Sequence, residues 1–333
     1  MYPGDEYGMP NIIAIDAMGG DNAPKAIVQG AVLAATELKV QILLVGHQEA
    51  IEKELAEVKA PTDAISILHA PDIIDNNEAP TFAIRRKKES SLIKGLKAVK
   101  DGQASAFVSA GSTGALLAAS TLIIGRAEGI ERPALCVRLP NRKGFTFLVD
   151  CGANVDCKPS YLAQFAQMGS TYVTRTMGIS KPRVGLVNIG VEQEKGNTLV
   201  KEAYSLLQDL SEQTKINFVG NVEAREIPLG AVDVAVCDAF VGNVLLKYTE
   251  GLAKGLMGMI KDELMSDPIS KTGALLAKGA FNRIKKNFDH DAVGGAPFLG
   301  LKNPVIKAHG SSGPIAICNA VRQCVLFMAE QQD

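Results

Sequence analysis

The chain has 333 residues, 47% hydrophobic and 21% charged, with 32 glycines and no tryptophan. This is the balance of a folded globular protein and excludes collagen, coiled coil and intrinsic disorder. Lys and Arg number 35 against 36 Asp and Glu, a net charge of −1, so no global field draws the chain to nucleic acid or to anionic lipid. Any charged partner must meet a local patch.

Residues 1–10 lack the basic and apolar regions of a secretion signal and read as a short irregular leader. Short β-branched runs follow at Ile12–Ile15, Val40–Val45, Ile65–Leu68, Ala104–Ser109, Phe145–Val149, Arg183–Ile189, Ile216–Val219 and Val232–Cys237, most of which read as buried strands. Helical patterns separate them at Lys25–Leu38, Thr81–Lys100, Thr113–Arg126, Pro159–Met177 and Thr198–Leu210. Such alternation predicts an α/β fold: a Rossmann-like, mainly parallel sheet with helices on both faces. The uncharged stretch Gly102–Gly125 has the length of a membrane span, but Gly111-Ser112-Thr113-Gly114 divides it into a buried strand, a turn and a buried helix. Over 251–288 two helical patterns meet at Ser266-Asp267-Pro268 without a strand between them, a helical hairpin insertion with seven cations against three anions. The expected organisation is a leader at 1–10 and a single α/β domain at 11–333 that includes this hairpin. Six cysteines without a C-x-x-C pair predict reduced thiols in a cytoplasmic protein.

In parallel sheets ligands sit beyond the carboxyl ends of the strands. Five glycine-bearing polar turns follow strands, at residues 16–21, 109–114, 150–154, 188–190 and 238–243, and on one rim they would describe a cleft. No two glycines stand two positions apart and none precedes a lysine, which excludes the dinucleotide fingerprint and the P-loop. The histidines and cysteines have no zinc spacing. Neither a metal nor a cofactor is expected. Ser112 lacks the first glycine of a nucleophile elbow. The turn Ser109–Gly114 opens a helix, where unpaired N–H groups and the hydroxyls of Ser109, Ser112 and Thr113 favour an anion; simple helix capping is the alternative. Asp16 follows its strand directly and is a candidate to orient a cation or a hydroxyl. Lys307 and His309 join a cation and a titratable imidazole at a strand end, where anion binding and proton transfer belong. Arg85-Arg86-Lys87-Lys88 is the densest basic cluster, either a solvated face or a landing patch for an acidic partner.

These motifs, with Asp150-Cys151-Gly152-Ala153-Asn154-Val155-Asp156 and Gly220-Asn221-Val222-Glu223 between them, together and in this order resemble the bacterial acyl-[acyl-carrier-protein]:phosphate acyltransferase family from about Ile12 onward. The chain departs from the family pattern at Ser112, where Asn is usual, at Ala239, where Gly is usual, and at Asn22, where His is common. The resemblance implies an isopropylmalate/isocitrate dehydrogenase-like fold, shared with phosphotransacetylases, and a homodimer. It also implies transfer of a long-chain acyl group from the thioester of acyl carrier protein to inorganic phosphate, for phospholipid synthesis. Phosphate is itself nucleophilic and a thiolate leaves readily, so the protein's task is positioning and charge handling. On this reading phosphate and thioester meet Asp16, Gly19, Gly20, Ser109, Gly111, Ser112, Thr113, Gly114, Asn188 and Ser311, while Lys307, His309, Asn243 and Asp238 serve the chemistry, Asp238 by orienting Lys307 or His309. Carrier protein docks on Arg85, Arg86, Lys87, Lys88, Lys285 and Lys286. Leu264, Met265, Ile269, Leu275 and Leu276 touch an anionic membrane peripherally, a dimer or core contact being the alternative for the hairpin. A phosphotransacetylase acting on coenzyme A thioesters and a non-catalytic anion- or acyl-binding protein are the competing readings.

Overall fold

The computed structural model describes residues 12–58, 63–75, 78–287 and 294–329, with the backbone alone at 282, 285–287 and 329. The leader at 1–10 lies outside them. In chain order the elements are β1 (Ile12–Asp16), α1 (Lys25–Leu38), β2 (Gln41–Gly46), α2 (Gln48–Val58), β3 (Ile65–His69), α3 (Pro80–Arg86), α4 (Ser91–Lys100), β4 (Ala106–Ser109), α5 (Thr113–Ile123), β5 (Ala134–Asn141) and β6 (Gly144–Val149). They continue as α6 (Pro159–Met177), β7 (Arg183–Asn188), α7 (Thr198–Glu212), β8 (Asn217–Glu223), β9 (Val234–Val236), α8 (Ala239–Leu264), α9 (Pro268–Asn287), β10 (Ala296–Leu299), β11 (Val305–Lys307) and α10 (Pro314–Ala329).

Among the described residues eleven strands form one sheet, in the order β3-β2-β1-β4-β11-β10-β5-β6-β9-β7-β8. Pairing is parallel from β3 to β11 and from β6 to β8. The three joints β11-β10, β10-β5 and β5-β6 are antiparallel. This is the expected mainly parallel α/β sheet. The reversals make its two parallel blocks run in opposite directions, so the five polar turns do not share one rim. The turns after β1 and β4 leave one edge, and those after β6, β7 and β9 leave the other.

Strands buried on both faces read as unbroken apolar runs, which is why β1, Ile-Ile-Ala-Ile-Asp, is enclosed from Ile13 to Asp16. One face of the first block is covered by α1 and α10, through Ile27, Ala31, Ile317 and Val321. One face of the second block is covered by α6 and α7, through Phe165 and Leu207. The remaining apolar cluster runs across both blocks, from Leu96 and Leu116 through Leu135 and Leu148 to Val187 and Val222. Leu246, on α8, packs against that cluster.

Four elements differ from the sequence reading. The pattern Thr81–Lys100 is two helices: Lys87 N closes on Ala83 O to end α3, and the Ser90 hydroxyl accepts from Ile93 N at 3.4 Å to start α4. The strands β5 and β10 were not expected, because Arg138, Pro140 and Pro297 interrupt their apolar character. The hairpin begins at Ala239 instead of 251, since β9 ends at Val236 and the Asp238 carboxylate caps α8 by accepting from Val241 N at 2.9 Å. The stretch 102–125 is the expected strand, turn and helix.

Candidate active site

Sheet order sets β1, β4 and β11 side by side, with Lys307 in register with Ser109. Asp16, Ser109 and Lys307 therefore end three adjacent strands. Asp16 is buried and its Oδ2 accepts from Ser109 Oγ at 2.8 Å, while Ser109 Oγ accepts from Gly111 N at 3.1 Å. Burial pushes the Asp16 carboxyl up, against hydrogen bonds from Ser91, Ser109 and the backbone of Met18 and Gly19. The Lys307 ammonium donates to Ala110 O at 3.3 Å and to Ala308 O. Burial lowers its pKa to about 8, the carboxylates of Asp16 and Asp21 acting in the other direction.

Gly19 and Gly20 bring the first turn against its neighbours. A Cβ on Gly19 would lie 2.6 Å from Asp16 Oδ2, and Gly20, at φ +101°, would place one 2.9 Å from Gly310 O. Asp21 N donates to Gly310 O at 2.8 Å and Asn22 Nδ2 to Ser311 O at 3.0 Å. The residues from Asp16 to Asn22 are thus the scaffold on which the 109–111 and 307–312 segments rest.

In front of this scaffold opens a cleft of about 440 Å³. Lys307, His309 and Ser312 form one wall, Thr113 and Asn243 lie at the amino ends of α5 and α8, Arg138, Lys247 and Glu250 add charged groups, and Leu135, Val137, Leu246 and Ala296 add an apolar strip. Cys151 and Gly152 close it from the second block. Both blocks therefore contribute although their turns leave opposite edges. His309 is exposed, and its Nδ1 accepts from Ser311 N at 3.2 Å and lies 2.8 Å from Ser311 Oγ. The neutral ring consequently carries its proton on Nε2.

The cleft gathers four of the residues expected from the sequence: Thr113, Asn243, Lys307 and His309. Asp16, Gly19, Gly20, Ser109 and Gly111 stand behind it, and Ser311 holds His309. Ser112 takes the capping alternative, its Oγ accepting from Ala115 N at 3.5 Å. Gly114 packs on Pro80 of α3. Two of the expected residues stand apart from the cleft. Asn188 is tied into its own loop, donating to Lys195 O at 3.0 Å and accepting from Ile189 N at 2.8 Å, and does not line the cleft. Asp238 also lies outside the lining, its carboxylate engaged at the start of α8. The sequence reading missed Ser312 and the apolar strip: Ser312 is masked by its neighbour Ser311, and β5 by its arginine and proline.

Residues 12–332 match the family model described as "Fatty acid synthesis protein". A phosphate acyltransferase of Clostridium botulinum is 50% identical over 94% of this chain and 92% of its own length, and one of Clostridium acetobutylicum is 51% identical over 94% of each. The chain is a member of the phosphate acyltransferase family. In fold it is similar to the EutD phosphotransacetylase from Staphylococcus aureus, with a TM-score of 0.61 at 17% identity over 95% of this chain and 93% of that one.

In this phosphate acyltransferase family member the basic cluster is only partly available. Lys87 donates to Ile73 O at 2.6 Å and pairs with Glu78, with Asp75 at 3.9 Å, so it anchors the segment before α3. Arg85, Arg86 and Lys88 are exposed, Arg86 lying 5.0 Å from the Phe82 ring centroid. The side chains of Lys285 and Lys286 lie outside the described residues. On the hairpin Ile269 and Leu276 are each 85% exposed, and Leu275 and Met265 are exposed as well, which removes the core-pair alternative within one chain. Leu264 is half-buried. Among the described residues no helix is long and apolar enough to cross a membrane, and no three His, Cys, Asp or Glu side chains group to hold a metal ion.

Proposed function

We propose that the chain transfers a long-chain fatty acyl group from the thioester of acyl carrier protein to inorganic phosphate, giving acyl phosphate and free carrier thiol for phospholipid synthesis. One observation carries this beyond family membership: a single cleft joins a polar wall of Lys307, His309, Ser312 and Asn243 to an apolar strip of Leu135, Val137, Leu246 and Ala296. Such a cleft offers groups for an anion and surface for a hydrocarbon chain.

A phosphate oxygen attacks the thioester carbonyl, the C–O bond forms, and the C–S bond breaks through a tetrahedral oxyanion. The Lys307 ammonium holds phosphate at neutral pH. Asn243 Nδ2 and His309 Nε2–H are the donors for the oxyanion, each worth about 2.7–4 kcal/mol when preorganised. The thiolate departs with a proton from the Lys307 ammonium, which the P–OH proton of the attacking phosphate replaces, because the neutral His309 ring keeps its one proton on the oxyanion. Asp238 fixes the first turn of α8, and with it Asn243, instead of orienting a base.

The acidic carrier protein docks on Arg85, Arg86 and Lys88, whose helix α3 flanks the amino end of α5 through Pro80 and Gly114. The exposed row Phe240, Val244, Tyr248, Leu252 and Met259 on α8 favours a second copy of the chain as its cover, and the hairpin tip at Ile269, Leu275 and Leu276 favours peripheral contact with an anionic bilayer. Six unpaired thiols, five of them buried, support a reducing cytoplasmic setting.

The donor decides between this reading and a coenzyme A-dependent one. With phosphate present, palmitoyl-carrier thioester is expected to release thiol at a rate at least about 100-fold above acetyl-coenzyme A, and Arg85→Glu/Arg86→Glu to raise KM for the carrier donor at low salt. Equal rates with both donors would contradict it.

A further inference from the structure

We propose that Ser312 is a phosphate ligand, and that inorganic phosphate is seated between the Ser312 hydroxyl and the Lys307 ammonium. The inference rests on the phosphate-acyl-transfer reading and names the groups that hold its acceptor.

Ser312 lines the cleft beside Lys307 and Gly310 and is 3% exposed, yet its Oγ makes no hydrogen bond to any described residue. A buried hydroxyl without a partner is costly and persists where a ligand completes it. The hydroxyl is not needed to hold the loop: the backbone does that, through Ser312 N to His309 O at 3.0 Å and Asn22 Nδ2 to Ser312 O at 3.4 Å.

The competing cradle, 109–114, is poorer in donors. Ser109 Oγ donates to the Asp16 carboxylate and Ser112 Oγ serves the start of α5. Of its three hydroxyl residues, Thr113 alone is in the cleft lining. Phosphate therefore rests chiefly on the 307–312 wall, with Thr113 in the same cleft lining.

A phosphate group borne by the acyl donor has the same chemistry, and kinetics separate the two sources. In Ser312→Ala, KM for inorganic phosphate is expected to rise about 10- to 100-fold, while KM for the acyl-carrier donor stays within about twofold. Titration calorimetry with inorganic phosphate alone is expected to show the same weakening, at unchanged Tm; Ser312→Gly is read in the same way if the alanine variant does not fold. An unchanged phosphate KM in a folded, active variant overturns the proposal, as does a rise confined to the donor's KM. If the parent chain binds phosphate in a Ser312-dependent way yet forms no acyl phosphate, the site stands and the reaction assigned above falls.

Discussion

Lys307 ends β11 with its ammonium on the carbonyls of Ala110 and Ala308, and burial brings its pKa to about 8. On the proposed reading it holds phosphate while protonated at neutral pH, and as pH rises through 8 the charge and the hold are lost together. KM for phosphate, corrected for phosphate's own ionisation, is expected to climb above pH 8, and Lys307→Met is expected to lower kcat/KM about 100- to 1000-fold and to abolish that climb. Stability moves the other way. The folded value lies below the ordinary 10.5, so the charged form is penalised in the native state; the penalty is complete below pH 8 and is relieved as pH rises from 8 toward 10.5. Denaturant titrations across that window should show the parent gaining stability relative to Lys307→Met; parallel curves would contradict the burial argument. Lys307 and His309 were legible in the sequence because a cation and an imidazole at a strand end have few structural uses. Ser109 and Ser112 were legible as donors but not in their roles, since which acceptor takes a hydroxyl depends on the strand placed alongside.

At the level of elements, α8 sets the geometry of the cleft. Its first turn is fixed by the Asp238 cap and by Gly242, where a Cβ would stand 1.9 Å from Asp150 O. That carbonyl belongs to a segment itself pinned by its carboxylate, which accepts from Leu135 N, Gly152 N, Ala153 N and Asn154 N at 2.8–3.1 Å. Gly242→Ala must push the helix outward, with an expected loss of about 2–3 kcal/mol or more and of the Asn243 position. Asp238→Ala removes a cap, about 1 kcal/mol, and leaves the pH profile of activity unchanged; a shifted profile would restore the orienting role expected from the sequence. The glycine turns revealed where elements end, and the alternation of runs revealed the sheet. β5 and β10 were hidden because strands carrying Arg138, Pro140 and Pro297 take their conformation from the neighbours that flank them. Without β5 and β10 the reversal of the second block was invisible too.

For the whole molecule, the end of β11 and the turns or helix starts after β4, β6 and β9 meet at a single cleft, while α8 and α9 carry exposed apolar residues. Ile269→Glu/Leu276→Glu is expected to lose flotation with anionic liposomes while forming acyl phosphate from soluble donor at the parent rate; retained flotation would move the membrane contact off the hairpin tip. Sedimentation of Val244→Asp/Tyr248→Asp is expected to show a lighter species than the parent. The central claim, acyl transfer to phosphate in the Lys307 cleft, is tested most directly by ³¹P NMR of the chain with palmitoyl-carrier thioester and phosphate, alongside a thiol assay. One new acyl phosphate resonance should grow for each thiol released, and neither should appear without phosphate; thiol released with free fatty acid and an unchanged phosphorus spectrum would contradict the claim.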